Sequence, residues 1–286
     1  MGLLLNGLKP LNIIYNGAEA VLYCNGSKIW PEAPPTPPDP NPLNLPAYTI
    51  RVKFKSGYTP AMGDTQTLVD STNNVWDIYK ASNNWTSLFS SNTNLLEVLG
   101  ANSSNVINMY KMFYGCYYLT TVPLFDTSSV TNMYYMFRGC TSLSSVPLFD
   151  TSSVTDMSSM LYGCSLITTV PLFDTSSVTN MNMMFFSCGS LTSVPLFDTS
   201  SVTNMYKMFY NCYNLTTVPL FNTSNVTDIG SMFYGCTRVQ SGALALYQQA
   251  SSQATPPSAH SQTFYNCGSN TTTGAAELAQ IPSDWK

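Results

Sequence analysis

The run VTNMYYMFRGCTSLSSVPLFDTSS at residues 130–153 is one of six successive copies of a single pattern. Two slots recur at a constant interval, a valine at Val106, Val130, Val154, Val178, Val202 and Val226, and a cysteine at Cys116, Cys140, Cys164, Cys188, Cys212 and Cys236. Self-similarity at a fixed period of roughly 20–50 residues is typical of solenoids and related arrays. Because one unit cannot bury its own apolar face, we expect the copies to stack and to share one core.

Within one copy, the order of apolar residues predicts a short strand and a helix, joined by turns. The valine, methionines, phenylalanine and cysteine between Val130 and Cys140 follow the spacing of one helix face. Val146 and Leu148 alternate as in a strand with one buried face. Pro147 has counterparts in four other copies, and since proline donates no amide hydrogen we expect the strands to be very short.

The shared motif M-F-x-x-C-x-x-L-x-x-V-P-L-F-D-T-S-S, carried for example by Met136–Met157, resembles the leucine-rich repeats. Within them it is similar to the BspA-like branch, which is found in bacterial and protozoan surface proteins and in phage genomes. The resemblance covers almost half of the chain. It implies an α/β repeat fold, a leucine-rich-repeat solenoid with a short strand and a helix per 24-residue coil, and a role in binding or adhesion without catalysis.

Residues 1–30 are predicted to form a small β anchor module. Apolar runs separated by Asn16-Gly17 and by Asn25-Gly26 indicate β-hairpins. So short a segment cannot form a stable core alone, so we expect it to dock on a partner through its apolar side chains, Ile14, Tyr15, Leu22, Tyr23, Ile29 and Trp30. The Y-N-G…Y-C-N-G-S-K-I-W pattern is similar to short anchoring modules at the N-termini of tailed-phage structural proteins.

The other boundaries follow from composition and from the decay of the repeat. Residues 31–46 contain eight prolines, which is typical of a semi-rigid spacer. Residues 47–105 are predicted to form an N-terminal cap and a degenerate first repeat that includes Trp85. Residues 106–239 carry the leucine-rich repeats, and residues 240–286 are predicted to close the stack as a C-terminal cap.

The composition argues against several classes of function. Charged residues make up only 9% of the chain and the net charge is -4, so we expect no nucleic-acid groove. No apolar run approaches the roughly 18 residues of a membrane span, so we expect no membrane insertion. The first residues lack the basic start and the long apolar core of a signal peptide, which predicts that the chain is not exported by that route.

Three sets of residues have side chains that could take part in chemistry. The cysteine ladder is interpreted as buried, reduced thiols, with inter-coil disulfides or a thiolate metal site as the alternatives. His260 is interpreted as a solvated loop residue, because nothing in the sequence places it beside a nucleophile. Aspartates at one slot indicate turns closed by their own side chains, with calcium binding as the alternative: Asp126, Asp150, Asp174 and Asp198, with Asn222 in the fifth copy. We therefore predict no enzyme activity, no cofactor and no metal.

The positions that differ between copies form the candidate binding surface, because the core slots repeat while these do not. Tyrosine with serine and asparagine is typical of adaptable binding surfaces, and simple decoration of a weakly charged surface is the alternative. The candidate residues are Tyr110, Tyr114, Tyr117, Tyr118, Tyr134, Tyr135, Arg138, Tyr162, Tyr206, Lys207, Tyr210, Tyr213 and Tyr234. The phenylalanine ladder from Phe125 to Phe221 is predicted to be core, with an exposed patch as the alternative.

These observations lead to a non-enzymatic hypothesis. The chain is expected to be a structural protein of a bacteriophage virion, a tail or head fibre or decoration protein. Residues 1–30 would contact other virion proteins, with an oligomer on the particle, and the repeats would provide host attachment by binding a bacterial surface glycan or protein receptor. The alternative is a cell-surface adhesin of the BspA-like family, located on the bacterial surface.

Overall fold

The computed structural model describes residues 41–286, together with the backbone of three strands nearer the N-terminus. These are β1 (Asn12–Asn16), β2 (Glu19–Cys24) and β3 (Ser27–Trp30), and they form an antiparallel sheet in the order β1-β2-β3. Asn16 pairs with Glu19 and Cys24 with Ser27, so consecutive strands pair antiparallel up to their adjoining ends. The predicted hairpins are confirmed. The side chains of the six anchor residues, and residues 31–40 of the proline spacer, lie outside the described residues.

A second antiparallel sheet precedes the repeats. It consists of β4 (Thr49–Phe54), β5 (Thr65–Asp70), β6 (Val75–Tyr79) and β7 (Leu95–Asn102), in the order β5-β6-β4-β7. The alternation of apolar and basic residues along β4 places Ile50, Val52 and Phe54 in the core, each at most 1% exposed. On its other face Arg51 pairs with Asp77 of β6 at 2.7 Å.

From residue 83 onward the chain forms stacked coils joined by backbone hydrogen bonds. The amides of Met109, Lys111, Phe113 and Gly115 donate to carbonyls of the next copy at 2.8–3.1 Å. Equivalent bonds recur at each junction, and parallel bridges between equivalent residues step through the chain at the repeat interval from Asn84 to Asp228. Each coil is therefore held in register by the next through its backbone.

The predicted helix in each copy is wrong, and the segment is a series of turns. Throughout residues 106–239, all of which the structure describes, there is neither a helix nor a strand. The amides of Met112, Tyr114 and Cys116 each donate to the carbonyl three residues earlier, at 3.1 Å. Lys111 and Gly115 have φ angles of 55° and 67°, which interrupt a right-handed helix. Successive turns return the chain to the core every three or four residues, and this spacing imitates a helix face.

The predicted strand around the proline is also wrong. The amide of Phe149 donates to the carbonyl of Pro147 at 2.9 Å, which bends the chain where a strand would continue. The bend turns Phe149 inward, at 2% exposure, and leaves Leu148 58% exposed. The prediction that the phenylalanine ladder is core is confirmed, whereas the prediction that Leu148 faces the core is wrong.

Both ends of the stack are covered. Trp85, Phe89, Leu95 and Val98 of the degenerate first repeat are at most 2% exposed and continue the core. At the other end the chain forms α1 (Ala243–Ser251), α2 (Thr272–Gln280) and a short 3-10 helix (Ser283–Trp285). Between the two α-helices a last turn segment stacks Phe264 on Phe233, with ring centroids 6.0 Å apart.

Candidate functional site

One outward slot of the turn segment carries a continuous row of flat side chains. The slot lies between the buried phenylalanine and the buried cysteine of each coil. Its occupants, here called the aromatic ladder, are Tyr114, Arg138, Tyr162, Phe186, Tyr210, Tyr234 and Tyr265. From Tyr162 to Tyr265 neighbouring ring centroids lie 4.4–4.7 Å apart, with interplanar angles of 2–17°. The backbone bonds between coils fix this spacing, so the rings are held in place before any ligand arrives.

Arg138 extends the aromatic ladder with a guanidinium group. Its central carbon lies 3.9 Å from the ring centroid of Tyr162 and 4.7 Å from that of Tyr135. A guanidinium group is planar and stacks favourably on aromatic faces. A positive charge therefore stands within the row of rings.

Lysine and tyrosine occur together at two places with the same sequence. The run Tyr-Lys-Met-Phe-Tyr at residues 110–114 is repeated at 206–210. The Lys111 ammonium lies 4.9 Å from the ring centroid of Tyr110 and 5.5 Å from that of Tyr114. We call Tyr110, Lys111 and Tyr114 the N-terminal lysine–tyrosine site.

The C-terminal lysine–tyrosine site consists of Tyr206, Lys207 and Tyr210. Here the ammonium lies 4.9 Å from the ring centroid of Tyr206 and 5.2 Å from that of Tyr210. A hydrogen bond to the hydroxyl of Tyr206 is the main cause that raises the pKa of Lys207, and Tyr110 raises the pKa of Lys111 in the same way. The neighbouring tyrosines therefore favour the charged form of both lysines.

Further tyrosines gather at the N-terminal end of this surface. Tyr134 stacks on Tyr135 with centroids 3.7 Å apart and on Tyr110 at 5.4 Å. Desolvation is the main cause that raises the pKa of Tyr134, so its hydroxyl keeps its proton. Together with the aromatic ladder and the two lysine–tyrosine sites, Tyr134 and Tyr135 form what we call the aromatic face.

The loop tyrosines occupy a different slot, after the cysteine. Tyr117, Tyr118 and Tyr213 are 49–50% exposed. The ammonium of Lys55, from the turn that follows β4, lies 3.4 Å from the ring centroid of Tyr118. Of the thirteen candidates, the structure brings together the ten that belong to the aromatic face and leaves these three in the neighbouring loops.

Three members of the aromatic face were missed at the level of the sequence. Phe186 lies one repeat interval after Tyr162, and Lys111 lies four intervals before Lys207, so the repeat itself would have identified both. Tyr265 lies more than one interval after Tyr234, because α1 and its loop lengthen the last coil, and it can be found only from the Phe-Tyr-Asn-Cys motif that residues 264–267 share with residues 209–212.

A second exposed row consists of leucines and aspartates. Leu148, Leu172, Leu196 and Leu220 are 53–62% exposed. The first two of these, with Leu124, line a groove of about 470 Å³ together with Asp126, Asp150 and Asp174. This row is here called the leucine face.

The aspartates of the leucine face close turns, as predicted. The carboxylate of Asp174 accepts from the amide of Ser176 at 3.1 Å and from its hydroxyl at 2.7 Å, and these hydrogen bonds lower its pKa. Asn222 accepts the equivalent amide bond from Ser224 at 3.0 Å. Among the described residues, no group of three or more histidine, cysteine or acidic side chains is arranged to hold a metal ion.

The described cysteines are buried, and the histidine packs on an aromatic ring. The thiol of Cys188 donates to the carbonyl of Leu161 at 3.1 Å, and burial raises its pKa to about 12. The cysteines of residues 116–267 are all buried and free. His260 differs from the prediction of a solvated loop residue, because its ring stacks on Trp285 with centroids 4.4 Å apart and its Nδ1 lies 3.0 Å from the carbonyl of Pro257.

Comparison with known families assigns the repeats. The model of a family described as "Mycoplasma protein of unknown function, DUF285" matches residues 83–165 and 140–247, which together span more than half of the chain. The chain belongs to the DUF285 family. Membership of DUF285 agrees with the BspA-like leucine-rich-repeat resemblance of the sequence. The matched residues of this DUF285 protein begin at its first coil and include every member of the aromatic face except Tyr265.

A solved structure is also similar to this DUF285 protein. The crystal structure of a leucine-rich-repeat protein from T. pallidum is similar, with a TM-score of 0.41, 20% sequence identity, and coverage of 61% of this chain and 78% of that chain. Comparison with curated proteins finds no match. Among the described residues, no helix has both the length and the hydropathy that crossing a membrane requires.

Proposed function

We propose that this DUF285 protein is a non-enzymatic adhesion protein that binds a surface glycan or protein through its aromatic face. The observation that carries the proposal is the aromatic ladder, in which five rings from Tyr162 to Tyr265 are stacked at 4.4–4.7 Å. Ordering of side chains on binding costs about 0.5–1.5 kcal/mol for each flexible side chain. Rings that already stack on one another avoid much of that cost.

The stacking also determines how a ligand is contacted. Ring faces within the aromatic ladder are covered by their neighbours, so the ladder presents ring edges and a row of phenolic hydroxyls. Each hydroxyl both donates and accepts hydrogen bonds. A polyhydroxylated chain offers the same two capacities along its length, which favours a glycan over an apolar partner.

The setting in which this face acts is also part of the proposal. We propose that the protein is a bacteriophage virion component, in which the β1–β3 module contacts other virion proteins and the proline spacer holds the coils outward for host attachment. The antiparallel pairing of β1–β3 supports a separate small module at the N-terminus. The alternative is display of the same face by an adhesin on a bacterial surface.

Hydroxyl removal tests the binding role without disturbing the stack. Phe186 occupies the ladder slot naturally and stacks on Tyr210 at 4.7 Å, so phenylalanine fits this position. We expect the triple variant Tyr162→Phe, Tyr210→Phe and Tyr234→Phe to remain folded and to lose binding on an array of bacterial surface polysaccharides and envelope proteins. Leu172→Ser on the leucine face is the matched control. Equal binding by the triple variant and the unmodified chain would refute the role of the aromatic face.

A search of purified virions tests the setting. Peptides from residues 48–286 that co-sediment with particles at structural stoichiometry would support the virion proposal. Recovery in the bacterial envelope fraction alone would support the adhesin alternative instead. Neither result changes the expected effect of the hydroxyl variants, so the binding role and its setting are tested separately.

A further inference from the structure

The two lysine–tyrosine sites are equivalent and stand at a fixed separation. Lys111 and Lys207 occupy the same slot of two copies that stand four coils apart. Backbones paired as neighbouring strands are about 4.8 Å apart, so four coils separate the sites by roughly 19 Å. The ring spacing of 4.4–4.7 Å along the aromatic ladder agrees with that step.

The cations of the aromatic face have aromatic partners in place of acidic ones. In the part of the chain that the structure describes, ion pairs involve Arg51, Lys53, Lys80 and His260, and none of these belongs to the aromatic face. Three of the four basic residues within 106–239, namely Lys111, Arg138 and Lys207, lie on this face. Their contacts are tyrosine rings at 3.9–5.5 Å.

The protein as a whole is acidic, so this local positive charge is not a general property of its surface. The net charge is -4. The aspartates at 126, 150, 174 and 198 belong to a different slot, and their carboxylates accept hydrogen bonds from the serines that follow. The leucine face therefore repels an anionic ligand. The aromatic face carries three cations against two carboxylates, Asp156 near Tyr134 and Asp228 near Tyr206, so its balance of charge is positive.

We propose that the ligand of the aromatic face is an acidic polysaccharide, which both lysine–tyrosine sites engage at once. This inference rests on the proposed binding function and names its ligand class. Carboxylate or sulfate groups of the chain would lie at Lys111 and Lys207, with Arg138 as a further contact near the first. Hydroxyls of the intervening sugars would meet the phenols of the aromatic ladder.

A single-stranded nucleic acid fits these features less well. Each strand of a nucleic acid carries a charge about every 3.4 Å, and binding requires several cations along the backbone. The aromatic face provides two lysines roughly 19 Å apart and one arginine, with rings whose faces are already covered. Bases need open ring faces for stacking. Widely spaced charges on a hydroxyl-rich chain match the surface better.

Simultaneous use of two sites makes a specific prediction about ligand length. When one chain occupies the first site, the second binding event becomes intramolecular, and avidity can exceed the affinity of either site by about a hundredfold or more. Loss of either lysine should therefore remove most of the affinity for a long chain. The same loss should only halve the binding capacity for a fragment that is too short to bridge the sites.

The experiment uses the full chain and four polymers, of which neutral dextran and a sparsely sulfated dextran sulfate form a pair that differs only in charge. Binding to dextran sulfate, hyaluronan, neutral dextran and poly(dT) is measured by biolayer interferometry for Lys111→Gln, Lys207→Gln and the double variant. The slot of these lysines holds Tyr135, Ser159 and Met183 in other coils, so the fold accepts uncharged side chains there. Arg238→Gln, which removes the one cation of residues 106–239 outside the aromatic face, is the charge-matched control.

We expect dextran sulfate and hyaluronan to bind, neutral dextran to bind weakly, and each single lysine variant to lose about a hundredfold in affinity for the long polymers. An equal loss in Arg238→Gln would show non-specific charge attraction and overturn the inference, and so would tighter binding of poly(dT). If dextran and dextran sulfate bind equally and the lysine variants change neither, the inference that the ligand is acidic is refuted. The proposed binding of a glycan would still stand. Failure of every polymer, together with hydroxyl variants that behave as the unmodified chain, would refute both.

Discussion

The positive φ angle in the last turn before each cysteine predicts how a single methyl group changes stability. Gly163 has a φ of 72°, and a Cβ added there would lie 3.9 Å from the nearest atom, the Cα of Gly139. The cost of Gly163→Ala is therefore conformational and not steric. A left-handed conformation costs a residue with a side chain about 1–2 kcal/mol, and the smaller entropy of the unfolded chain offsets about 0.4–1 kcal/mol. Together these contributions predict a net loss of about 1 kcal/mol.

The opposite substitution, to glycine, can be made at the same position of the next coil. Ser187 has a φ of 56°, so it bears the strain that glycine avoids in other coils. By the same two contributions, Ser187→Gly should stabilise the protein by about 1 kcal/mol. Asn211 occupies the slot at a φ of 59°, and Asn211→Gly should stabilise less, because asparagine tolerates this conformation better than serine.

Urea unfolding of the full chain at neutral pH measures these changes as shifts of the midpoint at constant slope. Gly242→Ala is a steric contrast, because its added Cβ would lie 2.2 Å from the carbonyl oxygen of Val218, and we expect a larger loss. A neutral Gly163→Ala, or a destabilising Ser187→Gly, would refute the assignment of left-handed turns to this slot.

Burial and hydrogen bonding determine how pH, substitution and calcium should affect the stability of the coils. Burial raises the pKa of Cys188 to about 12, whereas an unfolded thiol titrates near ~8.5. The contribution of the buried thiol to the free energy of unfolding is therefore complete below pH ~8.5 and decreases above it, because the unfolded state loses its thiol proton first. Melting temperatures should decrease from about pH 8 to 10. The decrease should be smaller in Cys188→Ala. Leu172 is 60% exposed, so Leu172→Ser should change the free energy of unfolding by less than about 0.5 kcal/mol. Its neighbour Phe173 is 2% exposed, so Phe173→Ala should lower the free energy of unfolding by about 3–5 kcal/mol. Urea unfolding measures both changes. Asp174→Asn should keep its turn, as Asn222 does, and calcium should not shift the melting temperature of either form in a thermal scan; a calcium-dependent rise would contradict the turn assignment.

The repeat interval determined much of what could be predicted. A constant interval between equal valines and cysteines predicts stacked units with a shared core, because equal residues at equal spacing occupy equal environments. The apolar runs on either side of Asn25-Gly26 predicted a hairpin, and the antiparallel pairing of β2 with β3 agrees with it. Burial of the phenylalanines also followed, because a row of exposed phenyl rings is uncommon on a protein surface.

The conformation within each copy could not be predicted, because a helix and a series of tight turns give the same spacing of core residues. Residues at i, i+3 and i+7 lie on one face of a helix, and they also face the core in a series of three- and four-residue turns. Lys111 distinguishes the two structures, because its φ of 55° does not occur in a right-handed helix. Lysine is not a residue type from which a positive φ can be predicted. Gly115, at a φ of 67°, fits such a turn, but a glycine at this position is equally typical of a helix end. The inward turn of Phe149 likewise depends on a bend at Pro147 that a proline permits but does not require.

The division between constant and variable slots explains why binding can differ between coils without loss of the stack. The core slots are fixed by packing, and each buried thiol from Cys116 to Cys236 also donates to a backbone carbonyl at 3.0–3.1 Å. In the outer slots the backbone bonds to the next coil are the same whether the side chain is Lys111 or Ser159. Substitution there changes the surface while the junction between coils is kept.

The outer side chains of the aromatic face also differ in the coils between its two lysine–tyrosine sites. Ser158 and Ser159 occupy the outer slots of the third copy, and they are only 2% and 1% exposed. Neighbouring side chains therefore cover these serines, and the half-buried rings of Tyr162 and Phe186 lie between the two sites. A ligand that reaches both Lys111 and Lys207 has to extend along these rings for roughly 19 Å, the length of four coils. One extended polymer meets that requirement, whereas a compact protein partner would need a contact edge of the same length with two matching acidic groups.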